Sequence, residues 1–186
     1  MKTLDPSIIT IFPAPSGEPV SEDFAVSVNE LPVPVYRCRV SAVPLNQVWP
    51  GYQRPIDQTE LASFAYCDSA GPLSVKVVAR RVFAAVKIRP LSRAITPTVR
   101  DRTIEFKLPG PGQVTVEVDG WHHALHLFIN PPEQTPPIKG DPGVLYFGPG
   151  IHRPGKITLA SHQTVYVAGG AVVYGSIHAQ HASHIK

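Results

Sequence analysis

The chain has 186 residues, of which 43% are hydrophobic and 17% are charged. This balance predicts enough buried core for one full domain plus part of another, and it excludes a disordered, solvated chain. The formal net charge is only +3, and the densest basic pairs are Arg80-Arg81 and Arg100 with Arg102, so no nucleic-acid partner is expected. The 21 prolines oppose helices and suit turns and edge strands.

The first residues, Met1 to Pro6, contain no apolar signal segment, and no apolar run in the chain reaches membrane-spanning length. The chain as written is therefore expected to be soluble in the cytoplasm, without a membrane partner; the compartment of a longer parent protein stays open. Cys38 and Cys67 are too few for a disulfide framework. Buried free thiols and a single inter-strand bridge are both compatible with their positions.

Short segments of alternating apolar and polar residues fill the first 130 positions, with turn signals between them. No segment has a helical period over three turns. Many short strands at this spacing indicate an antiparallel, immunoglobulin-like β-sandwich over residues 1–130. The predicted strands are 8–12, 24–28, 33–40, 61–67, 73–79, 85–89, 103–108, 113–118 and 124–129.

Exposed aromatic residues supply the candidate binding positions. Trp49 and Tyr52 lie in the long irregular segment 44–60, and Trp121 and His122 follow the turn signal Asp119-Gly120. Each could simply be a loop residue packed on the sandwich. Alternatively, the four mark a sugar-binding edge, because aromatic rings stack on a pyranose and His hydrogen-bonds to it.

A Pro-rich segment separates the predicted sandwich from a repeat. Residues 131–143 contain five prolines and are predicted to be a semi-rigid linker. From residue 144 onward, shifting the chain by twenty positions aligns four identical pairs, and the glycine pairs suit tight corners. The period predicts that residues 144–186 are the first coils of a parallel β-helix. The pairs are Tyr146 with Tyr166, Gly150 with Gly170, Gly155 with Gly175, and Ile157 with Ile177.

The same shift places Ile185 below Val165, so a third coil is predicted to start as the chain stops. One coil cannot bury its own apolar face, and about three or more are usually needed. We therefore expect the last coil to expose a hydrophobic edge that a continuing chain covers, and we expect the sequence to be a truncated piece of a longer protein. Self-association through this open end is the other expected use of the edge.

All eight histidines lie between positions 122 and 184. Those at 178, 181 and 184 are three residues apart, which in a strand sends successive side chains to opposite faces, so no metal site is predicted. No cofactor motif is present. Glycoside hydrolysis usually needs two carboxylates, and residues 142–186 contain none, so no catalytic residue is assigned. The carboxylates of the sandwich, such as Glu105, Glu117 and Asp119, are expected to be solvated.

Several runs resemble a known group of enzymes. The first unit is similar to the amino-terminal β-sandwich of bacterial β-helix glycosidases, which include glycoside hydrolase family 49 (dextranase-like) and the related family 28 (polygalacturonase-like). The later runs resemble the opening coils of that pectin-lyase-like superfamily. The matching runs are 86–93, 103–106, 116–120, 125–133, 148–152 and 168–175.

The resemblance implies a right-handed β-helix and a polysaccharide or oligosaccharide partner. In such families the catalytic aspartates lie in later coils, and no position of this sequence matches them. The leading hypothesis is therefore a non-catalytic N-terminal portion of a polysaccharide-degrading glycoside hydrolase, whose sandwich caps the β-helix and helps to position substrate. This chain is expected to be inactive alone. The alternative is a stand-alone carbohydrate-binding or structural interaction module.

Overall fold

The computed structural model describes residues 9–42 and 55–186, and its regular structure is almost entirely β. The described helices are two three-residue 3-10 turns, Ile56–Gln58 and Leu91–Arg93. Within the described chain, no helix is long and apolar enough to cross a membrane. The chain divides into two compact units. The first takes in residues up to Ile11 and Pro19–Pro132, and the second combines Phe12–Glu18 with Glu133–Lys186.

One sheet of the first unit has six strands. Their order is β1-β5-β11-β10-β7, with β4 also paired to β5. All pairs are antiparallel except β5 with β11, whose partners include Phe64 and His126. This parallel pair departs from the predicted antiparallel sandwich, and the long intervening chain between the two strands is what a parallel pairing requires. The strands are β1 (Ile9–Thr10), β4 (Tyr36–Ser41), β5 (Thr59–Ser69), β7 (Val86–Arg89), β10 (Gly112–Val118) and β11 (Leu125–Asn130).

The other sheet of the first unit has five antiparallel strands in the order β3-β2-β6-β9-β8. The predicted strand 33–40 is divided between the two sheets, since β3 ends at Val33 and β4 begins at Tyr36. Pro34 lies in the break, where its missing N–H would have interrupted a ladder. The strands are β2 (Phe24–Val28), β3 (Leu31–Val33), β6 (Leu73–Ala79), β8 (Thr98–Arg100) and β9 (Thr103–Leu108).

One hydrophobic core takes side chains from both sheets of the first unit. Alternation produces it: in β6 every second residue from Leu73 to Ala79 is buried, and the residues between them are not. Val77 and Ile104 face each other across β6 and β9 and are both inaccessible to solvent. Burial of such side chains is the main term that stabilises the unit, at about 1.5–3 kcal/mol for each large aliphatic residue.

The second unit contains four strands in two parallel pairs. Strand β12 (Val144–Phe147) pairs with β14 (Thr164–Val167), and β13 (Gly150–Thr158) pairs with β15 (Ala171–His178). Tyr146 lies beside Tyr166, and their rings stack with centroids 5.4 Å apart. Equivalent residues of successive repeats are therefore neighbours, as a stacked coil requires.

The register of the coils differs from the twenty-residue shift at two places. Gly150 pairs with Ala171 rather than Gly170, because the second repeat has one more residue than the first between the pairs Phe147–Val167 and Gly150–Ala171. The register shift between His152 and Gly155 then restores the twenty-residue offset. At the chain end, the Val165 N–H donates to the Lys186 carbonyl, and the Lys186 N–H donates to the Gln163 carbonyl. The last residue therefore lies opposite position 164, so Ile185 does not pair with Val165 as predicted.

A segment from the start of the chain packs on the coils. The Phe12 ring fills the space beside Gly169, where a Cβ atom would collide with it. The Tyr174 hydroxyl donates to the Glu18 carboxylate, with oxygen–oxygen distances of 2.9 and 3.0 Å. This contact raises the pKa of Tyr174. Residues 12–18 thus belong to the second unit, although the sequence boundaries placed them in the sandwich.

Candidate functional site

The connection between β10 and β11, residues 119–124, presents the candidate site; we call it the hairpin tip. Asp119 and His123 have φ values of 57° and 52°, so the backbone turns through the left-handed region. The Asp119 carboxylate accepts hydrogen bonds from the N–H groups of Ala84 and Ala85, at 2.8 and 2.9 Å. The bonds from Ala85 and Ala84 lower the pKa of Asp119, and the charge of Arg81 adds to the effect. These bonds anchor the start of the tip.

Trp121 and His122 form an exposed aromatic pair on this tip. Their ring centroids are 3.6 Å apart, with an angle of 31° between the planes. The Trp121 residue is 43% exposed and the His122 side chain 54% exposed. A rigid aromatic surface that faces water suits stacking on a ligand.

Glu60 of β5 holds the pair in place. Its Oε2 atom lies 2.5 Å from His122 Nδ1, and its Oε1 atom accepts from the His123 N–H at 3.4 Å. The Glu60 side chain is only 11% exposed, whereas its partner His122 is 54% exposed, so the carboxylate is fixed at the surface with the ring facing solvent. Among the described residues, Glu60 supplies the one carboxylate that is hydrogen-bonded to the Trp121–His122 pair.

Among the described residues, the cluster combines the Trp121 and His122 rings with one carboxylate, that of Glu60. Glycosidases set two carboxyl groups across the bond, and each must be free to act on the substrate. Both carboxylate oxygens of Glu60 are instead hydrogen-bonded to the hairpin tip, one to His122 and one to His123. The arrangement offers an aromatic face, an imidazole and a carboxylate edge, which together suit a sugar ring with its hydroxyl groups.

The structure brings together two of the four predicted binding residues. Trp121 and His122 share the tip, whereas Trp49 and Tyr52 lie outside the described residues. Sequence reasoning missed Glu60, which is 62 positions away from His122. Only the pairing of β5 beside β11 makes them neighbours, so no local pattern could have found it.

The carboxylates expected to be solvated have different roles. Glu117 is buried and pairs with Arg89 at 2.7 Å from Oε1 to Nε, which corrects the expectation. Asp119 bonds to backbone as described above, and Glu105 is exposed. Burying Glu117 is tolerated because the guanidinium neutralises it.

The histidines of the second unit contact different partners and do not converge on one point among the described contacts. His184 stacks on His162 with ring centroids 4.8 Å apart, and His178 hydrogen-bonds to Ser176. In the first unit, His126 bonds to Thr115, and burial lowers its pKa. Within the described part of the chain, no three His, Cys, Asp or Glu side chains are grouped as metal ligands.

A larger groove, of about 910 Å³, lies on the five-stranded sheet. Its strand residues alternate with the core, so Lys76 and Glu105 are exposed while Phe106 is buried. The groove has the volume of a ligand pocket, but its lining contains no exposed aromatic ring. The hairpin tip, with its aromatic face, is therefore the better candidate for sugar binding.

No protein-family model matches the chain, and no curated protein matches it. Among solved structures, the chain is similar to Dex49A from Penicillium minioluteum, at 17% identity and a TM-score of 0.59. The match covers 95% of this chain and 48% of Dex49A, so the chain spans about half the length of that protein. At this level of identity the likeness concerns the fold: nearly the whole chain is folded like a part of Dex49A.

Proposed function

We propose that the chain is the non-catalytic N-terminal portion of a polysaccharide-degrading glycoside hydrolase, and that its hairpin tip contacts the glycan. In this proposal, residues 1–130 form a β-sandwich, 131–143 a linker and 144–186 the first coils of a right-handed β-helix. Residues 12–18 pack on those coils. The observation that carries the glycan contact is the exposed Trp121 ring, stacked on His122 and held by Glu60.

The class of the parent enzyme is supported by the fold comparison. The name Dex49A contains the number of glycoside hydrolase family 49, the dextranase-like family that the sequence runs resemble. The bacterial origin implied by that resemblance stays a prediction, since the matching structure comes from Penicillium minioluteum. Because residues 142–186 lack carboxylates, the catalytic pair is assigned to coils of the parent enzyme outside this sequence.

A glycan array followed by titration calorimetry tests the binding role. We expect the chain to bind at least one oligosaccharide and Trp121→Ala to weaken that binding about tenfold, because the stacking surface is lost. Trp121→Phe, which keeps an aromatic ring, should retain most of the affinity. Leu91→Ala, which shortens another exposed apolar side chain of the same unit, serves as the control. A flat array would reject the role.

The non-catalytic role has its own test. Purified chain should release no reducing ends from the polysaccharides that it binds, because Glu60 is committed to the tip and no second carboxylate is bonded to the cluster among the described residues. Hydrolysis above the background of a heat-inactivated sample would overturn this part of the proposal while leaving glycan binding intact.

A second candidate, a structural interaction module, is favoured by the exposed edge of the second coil. Val167, Tyr174 and Ile177 are all exposed, the last at 59%. Apolar side chains in neighbouring strands suit either a further coil or a partner surface. If copies associate through this edge, light scattering will show a mass that grows with concentration, and Ile177→Lys will abolish the growth.

The matched control is Ile138→Lys, because Ile138 is 67% exposed and lies in the same unit outside the coil strands. This variant should associate like the parent chain. A strict monomer at all concentrations would reject the interaction module and would leave the hydrolase proposal standing.

A further inference from the structure

The hairpin tip also borders a small cleft of about 230 Å³. Because His123 follows His122 directly, the aromatic pair and the cleft lie next to each other on one turn of chain. All the lining residues belong to the first unit. They are Asp23, Phe24, Arg80, Arg81 and His123.

Backbone bonds hold the two arginines at this cleft. Arg80 follows β6, and its N–H donates to the Asp23 carbonyl at 2.8 Å, while its own carbonyl accepts from Arg102 Nη1 at 2.9 Å. Arg81 Nη2 donates to the Val118 carbonyl at 2.6 Å. The bond from Arg81 to Val118 uses one of the five guanidinium N–H groups, so most of the donors of Arg81 stay available.

The cleft carries more positive than negative charge. Among the described residues, ion pairs form between Arg89 and Glu117 and between His122 and Glu60, and neither cleft arginine has a described carboxylate within 4.0 Å. Asp23 lines the cleft, and the Asp119 carboxylate lies close enough to Arg81 for the two charges to attract each other. Within the lining, two guanidinium groups therefore stand against the one carboxylate of Asp23; Asp119 lies outside the lining, and its bonds to two backbone N–H groups leave its negative charge in place.

We propose that this cleft binds an anionic substituent, a carboxylate or a sulfate, of the glycan whose ring stacks on Trp121. Two guanidinium groups present the forked donors that planar and tetrahedral oxyanions accept in pairs. His123 adds a further ring nitrogen at the rim. The inference rests on the proposed glycan contact and adds the chemical class of the glycan, an acidic oligosaccharide.

The experiment compares three β-1,4-linked tetrasaccharides by calorimetry: glucose, glucuronic acid and 6-sulfated glucose. We expect at least one acidic form to bind about tenfold more tightly than the neutral form, and its affinity to fall as NaCl is raised from 20 to 300 mM, because exposed charges are screened. The two acidic forms separate a carboxylate ligand from a sulfate ligand.

Arg80→Gln tests the cleft itself: the bonds that Arg80 makes to Asp23 and Arg102 in the described chain use its backbone, so folding should survive the substitution. It should remove most of the acidic preference and leave the neutral tetrasaccharide unchanged. Arg100→Gln, which removes an exposed charge of β8, is the matched control and should behave like the parent chain. Circular dichroism checks that all variants are folded.

The outcomes separate the two proposals. Equal binding of all three sugars, or an acidic preference that survives Arg80→Gln, would overturn the cleft inference while the glycan contact stands. Absence of binding by both acidic forms would also overturn it, and the wider array then decides the glycan contact separately. Weaker binding of all the bound tetrasaccharides, by about tenfold, in Trp121→Ala, with loss of only the acidic preference in Arg80→Gln, would support both.

Discussion

At the residue scale, the surroundings of a side chain decide its chemistry. Cys67 lies on β5 inside the core and is inaccessible to solvent, and Cys38 on β4 is half-buried. Both are free thiols, so the inter-strand bridge that the sequence left open is not formed. Burial, followed by the charge of Asp68, raises the pKa of Cys67 to about 11, and burial also raises the pKa of Cys38.

This difference predicts unequal labelling by iodoacetamide. The thiolate is the reactive form, so at pH 8 the raised pKa leaves Cys67 with about a hundredth of its ordinary thiolate fraction. Cys67 should be labelled more slowly than Cys38 in the folded chain, as measured by peptide mass spectrometry. In denaturant the two should react alike. Equal rates in the folded chain would contradict the burial of Cys67.

Linkage predicts the effect of pH on stability. The folded pKa of Cys67 lies above its ordinary value of 9.0, so the folded state holds the proton more firmly. The contribution of this thiol to the free energy of unfolding is therefore complete below pH 9 and is lost as pH rises toward 11. Cys67→Ser, a close isostere with a hydroxyl that does not ionise in this range, should flatten that loss in denaturant titrations between pH 8 and 10.5.

At the scale of elements, the close approach of two strand backbones decides at which positions only glycine fits without strain. Gly175 of β15 pairs with Gly155 of β13, and a Cβ atom at position 175 would lie 2.6 Å from the Gly155 carbonyl oxygen. Contacts that short force the strands apart. The sequence repeat identified both glycines as corner residues, but only the register shows that one of them makes room for the other.

Gly175→Ala should therefore destabilise the second unit by about 1–3 kcal/mol, the usual cost of overpacking. Hydrogen exchange of β13 and β15, measured by mass spectrometry, provides the readout. Gly110→Ala is the control, because Gly110 has open space around its Cβ position and an ordinary φ. Unchanged protection in Gly175→Ala would show that the coils separate without cost.

At the scale of the whole molecule, the two units differ in burial. The first contains a core shared by two sheets, whereas the buried hydrophobic residues recorded in the second are Ile157 and Leu159. Since apolar burial is the main stabilising term, the second unit has less to oppose its conformational entropy.

We therefore expect unfolding in two steps. Amides of β12–β15 should lose protection from hydrogen exchange at lower denaturant than those of β6 and β9, because local stability follows buried contacts. A single coincident transition for both sets would contradict this expectation. A chain that continues with further coils should raise the protection of β14 and β15 most, since those strands carry the exposed edge.

The strand-rich character, most strand positions and the parallel pairing of the repeat could be predicted from the sequence. Alternation is a local property of each strand, and a period of about twenty residues is visible wherever it occurs. The loop position of Trp121 and His122 was predictable for the same reason, because a local turn signal precedes them; their binding role stays a prediction.

Tertiary structure alone decided the pairings between distant residues. Glu60 reaches His122 because β5 and β11 are adjacent, Arg80 and His123 border one cleft, and one added residue before Ala171 moves the register of the repeats. None of these follows from spacing, since each depends on which strand lies beside which, and that choice is made by burying the apolar faces of the whole chain together.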